Sequence, residues 1–254
     1  MTPLSAAARE PLTMEALAAS AARDIDAFGE RIRGVPYERK GILFSEMFFL
    51  ALCARAVRPT RILESGRARG QSTLILALTF PDLPIVSIEH DPNSPDVPVA
   101  AARLRPHRNV ELRFGDATRV LPAIARPGDV ALIDGPKGFR GLRLALRLLT
   151  QGRVGMVFIH DVPHGVPERR VLERWAPETL YSEDAQFAAA AHRLDSGLDR
   201  AAVDSIPEER RWRSPAPSAG YGFSLACMQC PPARARLAWL AAVIAGLGPR
   251  RATA

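Results

Sequence analysis

The stretch Arg61-Ile62-Leu63-Glu64-Ser65-Gly66-Arg67-Ala68-Arg69-Gly70-Gln71-Ser72-Thr73 decides the fold. It opens as a short apolar strand (61–64), turns through two glycines and enters a helix over Thr73–Phe80. Glycine tolerates positive φ and lets a ligand come close to the backbone. The helix start aims free N–H groups at the same place. The pattern then repeats. Strands are predicted at Ile85–Glu89, Val110–Phe114, Asp129–Ile133 and Val154–Ile159, with helices over Val99–Leu104, Thr118–Ala125 and Gly141–Leu149 between them. Short apolar strands alternating with helices predict an α/β fold, a doubly wound and mostly parallel sheet with helices on both faces.

Outward from this core the pattern weakens. Residues 1–41 read as a mobile segment followed by a helix, and 42–57 (ILFSEMFFLALCARAV) as a strongly apolar helix. Beyond Asp161, Val166–Trp175 reads as a helix and Glu178–Tyr181 as a strand. Segment 182–219 is polar and rich in Ala, Arg, Ser and Pro, an insertion that would serve as a lid, an interface or a partly ordered loop. A last apolar strand follows at Gly222–Met228. The expected organisation is an N-terminal segment and helix (1–41), a main domain (42–232) and a C-terminal helix and tail (233–254) built on Leu237–Leu247. The apolar helices at 42–57 and 237–247 are the candidate surfaces for a homodimer.

The chain has 254 residues, 47% hydrophobic and 24% charged, enough for a substantial core. Its formal net charge is +7, spread in pairs such as Arg169-Arg170 and Arg210-Arg211 rather than in a dense run. That reads as a solvated surface and argues against nucleic acid as a partner. No apolar stretch approaches the ~20 residues of a membrane span. Acidic residues at Glu10, Glu15, Asp24 and Asp26 break any leader-like pattern, so a cytoplasmic setting is expected. Cys227 and Cys230 follow a strand without a second ligand pair, and with Cys53 read as inert thiols.

Ligands of open α/β sheets bind at the carboxyl ends of the strands. Glu64, before the glycine turn, suits a cationic amino group. Glu89 ends the second strand, 25 residues after Glu64, where a carboxylate accepts ribose hydroxyls. Asp116 ends the third, and either accepts from an adenine amino group or caps the helix that follows. Asp134 and Asp161 leave the fourth and fifth strands as a carboxylate pair suited to a hard divalent cation. Lys137 lies three residues beyond Asp134, and becomes a base if burial or a metal lowers its pKa. For each residue a plainer role stands beside the chemical one: Glu89 as a solvated strand end, Asp134 as a turn former, Lys137 as a loop charge, His160 as a buried hydrogen-bonded histidine.

With these residues in place, segment 61–161 resembles the core of the class I S-adenosylmethionine (SAM) dependent methyltransferases, a Rossmann-like fold, and 222–228 is similar to their late strand. Ala68 stands where the commoner form of the motif has its middle glycine. The resemblance implies that Glu64, Gly66, Gly70 and Ser72 hold the methionine part of SAM, that Glu89 holds the ribose, and that Asp116 with Ala117 borders the adenine. The second half resembles metal-dependent catechol-type O-methyltransferases, in which an Asp ligand is followed three positions later by a Lys base. Asp134 and Lys137 match; His160-Asp161 stands where that family has Asp-Asn. The Asp134-Gly135-Pro136-Lys137-Gly138 string is also similar to a loop of polysaccharide O-methyltransferases.

The resemblance implies O-methyl transfer to a small molecule or saccharide, with Lys137 or His160 as the base and Asp134 and Asp161 positioning the acceptor directly or through Mg²⁺. The alternatives are a nucleic-acid or N-methyltransferase, and a non-catalytic binding or assembly protein on the same fold.

Overall fold

The computed structural model describes residues 12–38, 41–196 and 224–229. Seven strands form one sheet in the order β3-β2-β1-β4-β5-β7-β6. The first five are β1 (Arg61–Ser65), β2 (Ile85–Glu89), β3 (Val110–Phe114), β4 (Asp129–Ile133) and β5 (Val154–Ile159), all parallel. β7 (Ala226–Gln229) runs antiparallel to both β5 and β6 (Leu180–Tyr181). The doubly wound, mostly parallel fold expected from the alternation is the one observed.

The strands are apolar on both faces because both are covered. Alternate residues feed two cores: Ile62, Ile85, Val130, Met156 and Phe158 enter one, while Leu63, Val86, Ala131, Val157 and Ile159 enter the other. The first core is closed by α1 (Met14–Arg31), α2 (Phe44–Val57) and α3 (Gln71–Thr79). The second is closed by α5 (Ala117–Ile124), α6 (Gly138–Thr150) and α7 (Pro167–Trp175). Helix α4 (Asp96–Leu104) lies against α3. On α6 the leucines face the sheet, and Arg140, Arg143 and Arg147 form a solvated stripe.

Several expectations shift. Helix α3 begins at Gln71 rather than Thr73, because Gly70 takes the left-handed conformation just before it. Among the described residues the last strand begins at Ala226, where pairing with Ile159 starts, after Ser224 and Leu225; Gly222, where the strand was expected to begin, lies outside the described residues. The strand expected at 178–181 shrinks to two residues, since Thr179 N–H bonds back to Ala176 in a turn. Part of the predicted insertion is helical: α8 (Ala185–Ala191) seats Phe187 against Phe48 and Phe49, with ring centroids 6.2 and 5.2 Å away. Helix α2 buries Met47 through Ala54 inside this chain, so it leaves no apolar face for a second copy. Residues 197–219 and the Leu237–Leu247 segment lie outside the described residues. None of the helices among the described residues is long and apolar enough to cross a membrane.

Candidate active site

Register brings the strand exits together. Ser65 pairs with Ile88 and with Ile133, and Ile133 pairs with Ile159. The next residues of each strand therefore meet on one edge of the sheet. Asp134 N–H donates to the Ser65 carbonyl at 2.9 Å, and His160 N–H to the Ile133 carbonyl at 3.0 Å.

A cleft of about 250 Å³ opens there, lined among others by Gly66, Glu89, Asp116, Ala117, Gly135 and Arg140. Glu89 is held by backbone donors: Ala68 N–H reaches its Oε2 at 2.9 Å and His90 N–H its Oε1 at 2.7 Å. Carboxylate lone pairs remain for ligand hydroxyls. Asp116 takes the capping role, one of the two expected of it. It lines the cleft, and it caps α5 by accepting from Thr118 N–H at 2.9 Å and Thr118 Oγ1 at 2.7 Å. Those bonds hold its pKa below the usual carboxylate range.

On the other side of Gly66 the floor narrows between Gln71, Ser72 and Asp134. Gly70 packs its α-carbon side against Leu104 and Ala100 of α4, and any Cβ would stand 3.1 Å from Leu104. Glu64 departs from its expected role. It has no exposed surface, and its carboxylate is taken up by Ser72 Oγ at 2.5 Å, Ser87 Oγ at 2.6 Å and the Thr73 hydroxyl. Burial raises its pKa against those donors. Its place is to tie β1, β2 and α3 together beneath the loop. Arg67, which the sequence did not single out, is 2% exposed, donates to the Ser87 carbonyl at 2.7 Å and lies over the Phe114 ring.

The second half of the site is a charge cluster. Lys137 Nζ contacts Asp134, stands 2.6 Å from Asp161 Oδ2 and lies 3.4 Å from His160 Nδ1. His160 Nδ1 is 2.6 Å from Asp134 Oδ1 and 3.3 Å from Asp161 Oδ1. Behind the ring, His160 Nε2 faces Glu46 Oε2 of α2 at 3.3 Å. Glu46 is the only acid in the apolar run 42–57 and is 2% exposed, which is the signal that singles it out. Asp161 takes a positive φ of 60°, a conformation Asp tolerates better than most residues.

The electrostatics correct one expectation. Burial opposes charge on Lys137, but Asp134 and Asp161 outweigh it and push its pKa up. Burial likewise opposes the imidazolium, yet Asp161, Glu46 and Asp134 hold the His160 pKa well above its ordinary value. Both groups carry protons in this arrangement, so neither is a ready base. Asp134 is correspondingly acidic, since Lys137 and His160 overcome its burial. The donor atoms of Asp134, His160 and Asp161 lie within 4.8 Å of one another, and Asp161 Oδ1 is a buried acceptor without a hydrogen-bond partner. That combination fits a divalent cation.

No family model matches the chain. It is 30% identical to a catechol O-methyltransferase of Mycobacterium tuberculosis over 168 residues, 62% of this chain and 71% of that one. Among solved structures it resembles the O-methyltransferase TomG of Streptomyces achromogenes, a protein involved in tomaymycin synthesis, in complex with SAM. The TM-score is 0.45 at 24% identity, covering 87% of this chain and 92% of that one. It also resembles the SAH-bound methyltransferase PaMTH1 of Podospora anserina, at TM-score 0.46 and 16% identity, covering 87% and 98%.

Proposed function

The chain belongs to the class I SAM-dependent O-methyltransferases, and from that premise we propose that it methylates a hydroxyl of a small-molecule acceptor, of diphenol or saccharide type. The observation that carries this reading is the close approach of Gly66 to Asp134 and Gly135, which sets the Glu89–Asp116 cleft directly beside the Asp134–Lys137–His160–Asp161 cluster. SAM, when bound, supplies a methyl group already activated on a sulfonium.

The protein's own residues mainly align and stabilise. Glu89 accepts the ribose hydroxyls and Asp116 with Ala117 borders the base. Gly66, Gly70 and Ser72 shape the methionine end, with Glu64 holding the loop from below. The acceptor oxygen sits between the cleft and the cluster, in line with the methyl. Asp134, His160 and Asp161 would hold a divalent cation, which would lower the pKa of the acceptor hydroxyl. Lys137, once the two carboxylates that now hold its charge are engaged elsewhere, would give its own proton to solvent and then take that of the acceptor. Cys53 and Cys227 lie in the core as free thiols, which suits a cytoplasmic setting.

Calorimetric titration with SAM tests the reading. Micromolar binding to wild type, reduced at least about tenfold in Glu89→Ala, supports it, because charge-assisted hydrogen bonds contribute about 1.5–3 kcal/mol. Methyl transfer to diphenol and sugar acceptors then identifies the class. Binding without turnover on any acceptor would turn the reading toward a non-catalytic SAM-binding protein.

A further inference from the structure

His160 places a nitrogen where the rest of the cluster offers oxygen. Its Nδ1 stands 2.6 and 3.3 Å from the nearest oxygens of Asp134 and Asp161. Adjacent ligands of a six-coordinate ion with bonds of about 2.1 Å lie about 3 Å apart. Ligating histidines almost always give their other ring N–H to a carboxylate, a backbone carbonyl or water, which fixes the tautomer and the ring. Glu46 Oε2 stands in that position against His160 Nε2, and is itself held by Leu43 N–H at 3.0 Å. A glutamate buried to 2% on a helix whose other buried residues are all apolar is costly unless it is paired. Asp161 Oδ1, 3.3 Å from His160 Nδ1, is a buried acceptor with no hydrogen bond of its own and is open to a cation. Imidazole suits Zn²⁺, Fe²⁺ and Ni²⁺, whereas Mg²⁺ favours an all-oxygen shell.

We propose that Asp134, His160 and Asp161 form a mixed nitrogen–oxygen site that selects a borderline divalent transition ion of the Co²⁺, Ni²⁺ or Zn²⁺ kind over Mg²⁺, with Glu46 as the positioning residue for His160. The proposal deepens the O-methyltransferase reading, since the same site faces the acceptor. Loading displaces the Lys137 ammonium from the two carboxylates and sends the proton of His160 Nδ1 to solvent.

The test is a Co²⁺ titration of the full chain, read by visible absorption and competed with Mg²⁺, without SAM or acceptor. One Co²⁺ per chain is expected, resisting about a hundredfold excess of Mg²⁺. In His160→Asp, which restores an all-oxygen set, Mg²⁺ competes at least about tenfold better. Glu46→Gln weakens Co²⁺ about tenfold or more, while SAM affinity in both variants stays at the wild-type value. An unchanged Co²⁺ spectrum in His160→Ala, or equal Mg²⁺ competition in wild type and His160→Asp, overturns the proposal. Co²⁺ binding without SAM binding would sink the methyltransferase reading and leave the metal site standing; SAM binding without Co²⁺ binding would do the reverse.

Discussion

Gly66 and Ala68 occupy the same loop and obey opposite constraints. Gly66 has φ 87°, and a Cβ there would lie 2.8 Å from the backbone of Asp134 and Gly135. Gly66→Ala must therefore push the β1 and β4 exits apart. We expect it to destabilise the protein by about 1–3 kcal/mol in urea unfolding and to lower SAM affinity in the same preparation. Ala68 also has positive φ, at 44°. The backbone there takes a glycine-like conformation although the residue is alanine. Ala68→Gly relieves that conformation and should stabilise by up to about 1 kcal/mol, with the larger freedom of the unfolded glycine offsetting the rest. A loss of stability in Ala68→Gly would show that the alanine methyl packs usefully.

Helix α2 illustrates what an element owes to distant chain. Its N-cap position is Leu43, which has no capping oxygen. The missing acceptor comes from Asp195, whose Oδ1 takes the Ser45 N–H at 3.2 Å from 150 residues away. Burial raises the Asp195 pKa to about 6, from an ordinary 3.8, against the bond from Ser45. The folded protein thus binds a proton that the unfolded chain has released in that window. Stability contributed by this group is greatest below about pH 4 and falls as pH rises to about 6. Asp195→Asn keeps a capping oxygen and cannot ionise. Unfolding measured from pH 4 to 7 should show the downward trend weaken, with the variant gaining up to about 3 kcal/mol at pH 7. An unchanged profile would place the ionisation elsewhere.

The molecule as a whole joins its flanking helices to the sheet through aromatic packing. Phe28 stacks on Phe48 at 4.8 Å, Phe49 meets Phe158 of β5, and Phe187 completes the group with no exposed surface. Phe187→Ala should cost about 3–5 kcal/mol in urea unfolding, as for other buried aromatics. A cost below about 1 kcal/mol would mean that segment 182–196 merely rests on the core. This packing also fixes the site. Helix α2 must be seated for Glu46 to meet His160.

Composition and periodicity determined the sheet, because burying both faces forces continuous apolar strands between amphipathic helices. They also determined the exits carrying Gly66, Glu89, Asp116, Asp134 and His160, because parallel register aligns those positions once the strands are known. Glu64 lay beyond sequence reading, since only the path of Thr73 and Ser87 shows its carboxylate turned into the fold. Glu46 and Asp195 lay beyond it too, because their partners are 114 and 150 residues away along the chain. The raised proton affinities of Lys137 and His160 were decided last, by the distances among the charges of the cluster. Those distances exist only after the strands and helices have packed.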